Sequence, residues 1–201
     1  MLPDLFIDWW FMPWAYARHA GAPFGPDLLS RRDGYALWCA QAGVAPAVPD
    51  RFDPGWQVAM LREPQALARA ATLFGGLVAA REQDQATLAQ LPLADRRWCM
   101  SVAVTQPLKS CRGLAVADDD TRPQTRGLIE LARRLEPGFP GMWSRLRLLL
   151  APALAQRIDA LLPAAQAAAP PEASPVRAQR CWQICATRAQ AEDAAPEPIA
   201  A

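Results

Sequence analysis

Apolar residues recur along most of this chain at the three- and four-residue spacing of amphipathic helices. The clearest stripe lies within residues 64–81 and consists of Leu67, Ala70, Ala71, Phe74, Leu77 and Val78. This spacing places the side chains on one face of an α-helix that packs on a core. Gly75 and Gly76 lie inside the stripe, where they either permit close helix packing or mark a break.

Prolines separate further helical segments, because the proline ring suits the first turn of a helix and disrupts its interior. The other predicted helices are 27–42, 54–62, 84–90, 93–104, 123–135, 142–150, 152–162 and 176–191. Blocks rich in β-branched residues are scarce, and the best strand candidate, 100–105, continues a helical stretch. The sequence therefore predicts an all-α fold: a single compact multi-helix domain with a proline-rich linker and a short C-terminal helix and tail.

Composition divides the chain into four parts. Residues 1–26 are predicted to form an aromatic N-terminal arm packed on the core, and 27–162 the helical domain. Residues 163–175 contain four prolines among small residues and are predicted to be a linker. Residues 176–201 are predicted to form a helix followed by a disordered tail.

The balanced charge and the single histidine exclude several classes of function. The chain has 21 basic and 20 acidic residues among 201, so no overall field attracts a nucleic acid or an anionic membrane. A single histidine, His19, excludes multi-histidine zinc and iron sites, and no nucleotide-binding or nucleophile motif is present. The apolar runs 5–14 and 142–155 are too short and too interrupted to span a bilayer. These features predict a cytoplasmic binding or assembly protein with no catalytic site, cofactor or metal.

Five cysteines at scattered positions argue against a disulfide framework. Cys181 and Cys185 share one helical face if their segment is helical. They are either half of a metal or redox site or two small apolar residues on a packing stripe, and the second interpretation is favoured because no other cysteine pair completes a tetrahedral site.

An aromatic cluster near the N-terminus is the most unusual feature. It consists of Trp9, Trp10, Phe11, Trp14 and Tyr16. The rings either fill grooves in the chain's own core or are exposed anchors for a partner, and we expect the first role. His19 follows closely and is predicted to be a hydrogen-bonding structural residue rather than a catalyst.

Charged clusters offer weaker candidates. The run Asp118-Asp119-Asp120 could bind a cation, but a helix-capping acidic turn is the favoured interpretation. The pairs Arg96-Arg97 and Cys111-Arg112 could meet an anion or an acidic partner, and we expect ordinary solvent exposure instead.

The N-terminal cluster also resembles a family signature. The pattern Phe11-x-Pro13-x-x-Tyr16, with His19 close behind, is similar to the opening of the SctK family (YscK/PscK/OrgA-like proteins) of type III secretion systems. Similar features follow in the same order: Trp56, Leu67-Ala68-x-Ala70-Ala71-x-Leu73-Phe74-Gly75, Leu88-x-x-Leu91-Pro92, Arg97-Trp98 and Pro107-Leu108. The likeness covers residues 6–110, and His19 stands one position later than in the family pattern.

This resemblance implies a non-catalytic adaptor of the sorting platform at the cytoplasmic face of the inner membrane. The expected partners are the pod protein (SctQ-like) and the cytoplasmic domain of the inner-membrane ring protein (SctD-like), with the stalk protein (SctL-like) as a further candidate. The expected signature residues, for partner binding or for structure, are Trp10, Phe11, Pro13, Trp14, Tyr16, His19, Arg96, Arg97 and Trp98. The alternative is a small all-α enzyme or ligand-binding domain that uses the aromatic cluster around His19 as a pocket.

Overall fold

The computed structural model describes residues 2–18, 28–106, 108, 122–168 and 175–193, without the side chains of 28–31, 192 and 193. These residues form nine α-helices: α1 (Asp4–Phe11), α2 (Leu28–Ala42), α3 (Pro64–Glu82), α4 (Gln85–Ala89), α5 (Leu93–Thr105), α6 (Arg122–Gly138), α7 (Met142–Leu146), α8 (Pro152–Ala167) and α9 (Pro175–Asp193). Short 3-10 turns lie at Pro13–Ala15, Pro54–Ala59 and Arg147–Leu149. No strand occurs within these ranges, which confirms the all-α prediction.

Helix α3 is the centre of the molecule. Its predicted stripe is buried, and so are the neighbouring positions Ala66, Leu73 and Ala79. Burial this far around a helix requires partners on several sides, and α5, α6 and α9 all pack against α3. Helix α3 is therefore the common packing partner of these three helices.

Two glycines set how closely α3 and α6 approach. A Cβ atom on Gly75 would collide with the carbonyl oxygen of Pro123, and one on Gly127 would collide with the carbonyl oxygen of Ala71. The helix continues through both glycines of the pair at 75 and 76. Gly75 therefore permits close packing rather than marking a break.

The predicted linker and C-terminal boundary are wrong in two places. Helix α8 continues through Pro163 to Ala167, because Ile158, Leu162 and Ala165 keep one face buried on the core. Helix α9 belongs to the compact domain rather than lying beyond it. Residues 169–174 and 194–201, the rest of the predicted linker and tail, lie outside the described residues.

The inner face of α9 is made largely of small residues. Ala178, Cys181, Cys185 and Ala189 are buried against the core, together with Trp182, whose ring meets the edge of Phe74 at a centroid distance of 5.5 Å. Small side chains let two helices approach closely. Their apolar periodicity is weak, so the sequence does not identify this face as strongly apolar. No helix among those described is long and apolar enough to cross a bilayer.

Candidate partner-binding surfaces

The aromatic arm is held by rings on the inner side of α1. Trp9 and Trp10 are buried, and the indole Nε1 of Trp9 donates a hydrogen bond of 2.7 Å to the carbonyl oxygen of Leu61. Tyr16 stacks on Trp9 at 5.2 Å, and Phe139 contacts the ring of Trp10 at 5.3 Å. The rings on the inner side of the arm therefore belong to the hydrophobic core, as the core-filling interpretation predicts.

Arg145 holds this arm in place from the core side, through contacts with Trp10. The side chain is fully buried, and its guanidinium carbon lies 3.6 Å from the centre of the Trp10 ring. It donates hydrogen bonds to the carbonyl oxygens of Trp10 (3.1 Å), Ala45 (2.7 Å) and Gly141 (3.2 Å). Burial lowers the pKa of Arg145. Carbonyl dipoles and a ring face thus hold three separate segments of the chain together around one cation.

The rest of the signature divides between buried and partly exposed residues. Pro13 is buried at the start of its 3-10 turn, and Trp14 is half-buried with its edge against Tyr35 and Trp38. Phe11 stays 38% exposed. His19 lies outside the described residues. Among the described residues of the arm's signature, Trp10, Pro13 and Tyr16 therefore position the arm, whereas Phe11 and Trp14 are partly open to a partner.

The outer side of α1 is an exposed apolar surface with acidic residues. We define the α1 face as Leu5, Ile7, Phe11 and Met12 with Asp4 and Asp8. The apolar members are 38–65% exposed, and α1 contains no basic residue. Clustered exposed apolar side chains mark contact surfaces for other proteins.

A second exposed surface lies on α5. We define the α5 face as Leu93, Arg97, Met100 and Val104, which follow one another at steps of four, three and four residues. These steps place all of them on one side of the helix. Leu93 is 58% exposed, Met100 51% and Val104 80%. The side opposite this face is buried through Asp95, Cys99 and Ala103.

Arg96, Arg97 and Trp98 have three different environments. Arg96 donates hydrogen bonds to the carbonyl oxygens of Leu88, Ala89 and Leu91, so it closes the end of α4. The prediction of ordinary solvent exposure is therefore wrong for Arg96, because orphan carbonyls at a helix end need donors. Arg97 is exposed, and Trp98 is half-buried with the guanidinium of Arg188 4.9 Å from its ring centre.

Two buried carboxylates are engaged in structural ion pairs. Asp95 is bonded by Arg69 through two oxygens at 2.7 and 2.8 Å and by Arg188 at 3.2 Å. Burial alone would raise the pKa of Asp95, but the Arg69 and Arg188 guanidinium groups outweigh it and lower the pKa below its usual range. Glu130 is bonded by Arg133 and Arg134 from its own helix.

The cysteines of α9 are part of the packing. Cys181 and Cys185 share one buried face, as the packing interpretation expected, and both are free thiols. Burial raises the pKa of Cys181 to about 11 and also raises that of Cys185 well above the usual range of a thiol. Protonated, inaccessible thiols are poor nucleophiles. Cys111 and the run 118–120 lie outside the described residues.

One cavity of about 870 Å³ lies at the C-terminal end of α6. Its lining includes Arg51, Trp56, Arg133, Arg134 and Glu136, and none of the described residues of the N-terminal signature. Burial, with help from the charge of Asp159, raises the pKa of Glu136. The ligand-binding alternative concerns a pocket around His19, which lies outside the described residues.

Within the described part of the chain, no three His, Cys, Asp or Glu side chains lie close enough together to hold a metal ion. No protein-family model matches this chain, and no curated protein and no solved structure shows significant similarity to it. The observations that bear on function are therefore those of the two faces and of the contacts beneath them.

Sequence reasoning missed the two most important positioning residues, Arg145 and Asp95. Arginine is frequent in this chain, so nothing marks residue 145 before the fold brings the distant carbonyl groups of Trp10 and Ala45 to it. The apolar members of the α5 face, Leu93, Met100 and Val104, follow one another in the sequence at steps of seven and four residues. Their exposure could not be predicted, because the sequence does not say which side of α5 meets α3.

Proposed function

We propose that this protein is a non-catalytic cytoplasmic adaptor of a bacterial type III secretion sorting platform. It links the cytoplasmic domain of the inner-membrane ring protein (SctD-like) to the pod protein (SctQ-like) and hence to the ATPase complex. It is held at the cytoplasmic face of the inner membrane through these partners. The likeness of residues 6–110 to the SctK family motivates the assignment.

The observation that carries the proposal is the pair of exposed apolar faces on α1 and α5. An adaptor needs two surfaces that can be occupied at the same time. The α1 face combines apolar side chains with Asp4 and Asp8, whereas the α5 face combines them with Arg97. Opposite charges favour different partners on the two faces, since charge complementarity gives specificity.

The signature residues support this role by positioning rather than by chemistry. Trp10 and Tyr16 belong to the core beneath α1, and the buried Asp95 beneath α5 is committed to Arg69 and Arg188. Each face is thus presented on a rigid support, which lowers the entropic cost of binding.

Affinity capture tests this proposal. Tagged protein expressed in its native bacterium should recover pod and ring components, identified by mass spectrometry. A matched control is Leu37→Ser in α2, because Leu37 is 61% exposed and belongs to neither face; this variant should recover the same proteins. Purified pod protein and ring domain that both fail to bind the purified chain would contradict the proposal.

A further inference from the structure

Two exposed carboxylates run along the middle of the α1 face. Asp4 and Asp8 are one helical turn apart, so their side chains lie in line on the outer side of α1. Successive residues of a helix are rotated by about 100°. This rotation places Ile7 and Phe11 on one side of the line and Leu5 and Met12 on the other. A molecule that covers both apolar rows therefore also covers the carboxylates between them.

Asp8 stands where an acidic residue weakens the helix. It lies in the last turn of α1, whose carbonyl groups point away from the helix and repel a negative charge. Asp4, one turn earlier, repels it as well, because like charges four residues apart destabilise a helix. Asp4 itself is favoured by its place in the first turn. Helix electrostatics therefore favour Asp4 and oppose Asp8, and residues that break a local rule are frequent at functional sites.

The position of the carboxylates selects the charge of a partner. A carboxylate that leaves water without a counter-charge costs free energy, whereas one that is bonded to a guanidinium can be buried. Two copies of the α1 face packed on each other would bring four carboxylates together, and an anionic lipid surface would also add like charge. Arginine suits the site, because its planar fork bonds both oxygens of a carboxylate and is weakly hydrated.

The length of the α1 face indicates how much of a partner it can hold. The eight residues of α1 extend over about 12 Å, which corresponds to about two helical turns. A second helix laid along α1 presents side chains four residues apart at the same one-turn spacing as Asp4 and Asp8. Its neighbouring positions then meet the two apolar rows, as in other contacts of amphipathic helices.

From these observations we propose that the α1 face binds an amphipathic helix of another protein that carries two arginines one turn apart. The arginines pair with Asp4 and Asp8, and apolar residues on both sides of them pack on the two apolar rows. The inference deepens the adaptor function and rests on its general form, that the α1 face binds a partner. It does not depend on which secretion component supplies the helix.

The test uses the full chain and two synthetic peptides of about 15 residues, since shorter helices are marginal in water. Both peptides carry leucines on either side of two positions that are four residues apart. The arginine peptide has arginines at these two positions, and the glutamate peptide has glutamates. Fluorescence anisotropy should show that the arginine peptide binds about tenfold or more tightly than the glutamate peptide. This preference should decrease as salt is added, because partly exposed charge pairs are screened.

Matched variants connect this binding to the α1 face. Asp8→Asn should weaken binding of the arginine peptide by about tenfold or more. Asp50→Asn, the same change at an exposed carboxylate outside the face, should bind like the wild type. Asp8→Asn should also keep or raise the melting temperature, because α1 loses an unfavourable charge. A carboxylate that serves only the fold would not combine lost binding with unchanged stability.

Three results would overturn the inference. The first is equal binding of both peptides, or binding that Asp8→Asn leaves unchanged. The second is a large loss of thermal stability in Asp8→Asn, which would mean that the chain itself uses this carboxylate. The third is a dimer that Asp8→Asn dissociates in light scattering, which would make a second copy the occupant.

The inference and the adaptor function can fail separately. Any of these three results together with intact capture of pod and ring components would leave the adaptor function standing. Conversely, purified pod protein and ring domain that both fail to bind would contradict the adaptor function, while a preference for the arginine peptide that Asp8→Asn removes would still support the inference.

Discussion

The α1 and α5 faces expose similar apolar side chains, but different interactions hold the two helices in place beneath these faces. Beneath α1 lie stacked aromatic rings and Arg145, which is held by carbonyl oxygens and the Trp10 ring. Beneath α5 lies Asp95, held by guanidinium groups from α3 and α9. One face is therefore fixed by packing around a cation and the other by ion pairs around a carboxylate. This difference allows each face to be disturbed without the other.

The largest expected effect comes from the ring beneath α1. Trp10→Ala should lower the free energy of unfolding by about 3–5 kcal/mol, the usual cost of removing a buried large aromatic side chain. Val104→Ala on the α5 face should change it by about 0.5 kcal/mol or less. Urea unfolding followed by circular dichroism measures both. An unchanged stability of Trp10→Ala combined with lost partner binding would instead make Trp10 an interface anchor.

The second prediction compares the two supporting arginines. Arg145→Met should lower the free energy of unfolding by about 2 kcal/mol or more, because buried carbonyl groups of three segments lose their donor. Arg188→Met should cost about 1 kcal/mol or less, since Arg188 is partly exposed and Asp95 keeps Arg69. Equal losses in the two variants, measured in urea, would mean that Arg145 is not the particular support of the arm.

The third prediction concerns the pH dependence of stability, which should differ between the contacts beneath α1 and the ion pairs beneath α5. The pKa of Asp95 is lowered in the native state, so its ion pairs contribute stability above the unfolded-state pKa that is lost as the pH falls. Asp95→Asn should therefore reduce stability at pH 7 and make its decline between about pH 5 and pH 2 shallower than in the wild type. Asp84, whose pKa is also lowered, keeps part of the decline.

The same titration gives a control for the α1 side. Arg145→Met should shift the whole stability curve downward and leave its slope between about pH 5 and pH 2 unchanged, since the hydrogen-bond acceptors of this guanidinium among the described residues are carbonyl oxygens rather than carboxylates. A slope in Asp95→Asn that matches the wild type would contradict the role of the ion pairs beneath α5.

Periodicity predicted most of the fold because α3 and its neighbours have helical stripes bounded by prolines. It did not place α9 in the core, since alanine and cysteine make a weakly apolar face, which meets α3, α6 and the 3-10 turn at Pro54–Ala59 only in the folded chain. It also separated Pro163 from α8, although burial of Leu162 and Ala165 outweighs the hydrogen bond lost at proline.

The supports of the candidate surfaces were harder to predict. Residues 10 and 45 meet at Arg145 only in the folded chain, and Arg69 and Arg188 reach Asp95 from two other helices. Contacts at such sequence separations leave no local pattern. The aromatic rings of the arm were visible in the sequence, whereas the division between their buried and exposed sides was not.

The most direct test of the central claim is to measure how two single-face variants bind two purified partners. Leu5→Lys alters the α1 face and Val104→Glu the α5 face; the partners are the pod protein and the cytoplasmic domain of the ring protein. Isothermal titration should show that each variant loses affinity for one partner and keeps it for the other. Variants that weaken both partners together, or neither, would contradict an adaptor with two independent faces.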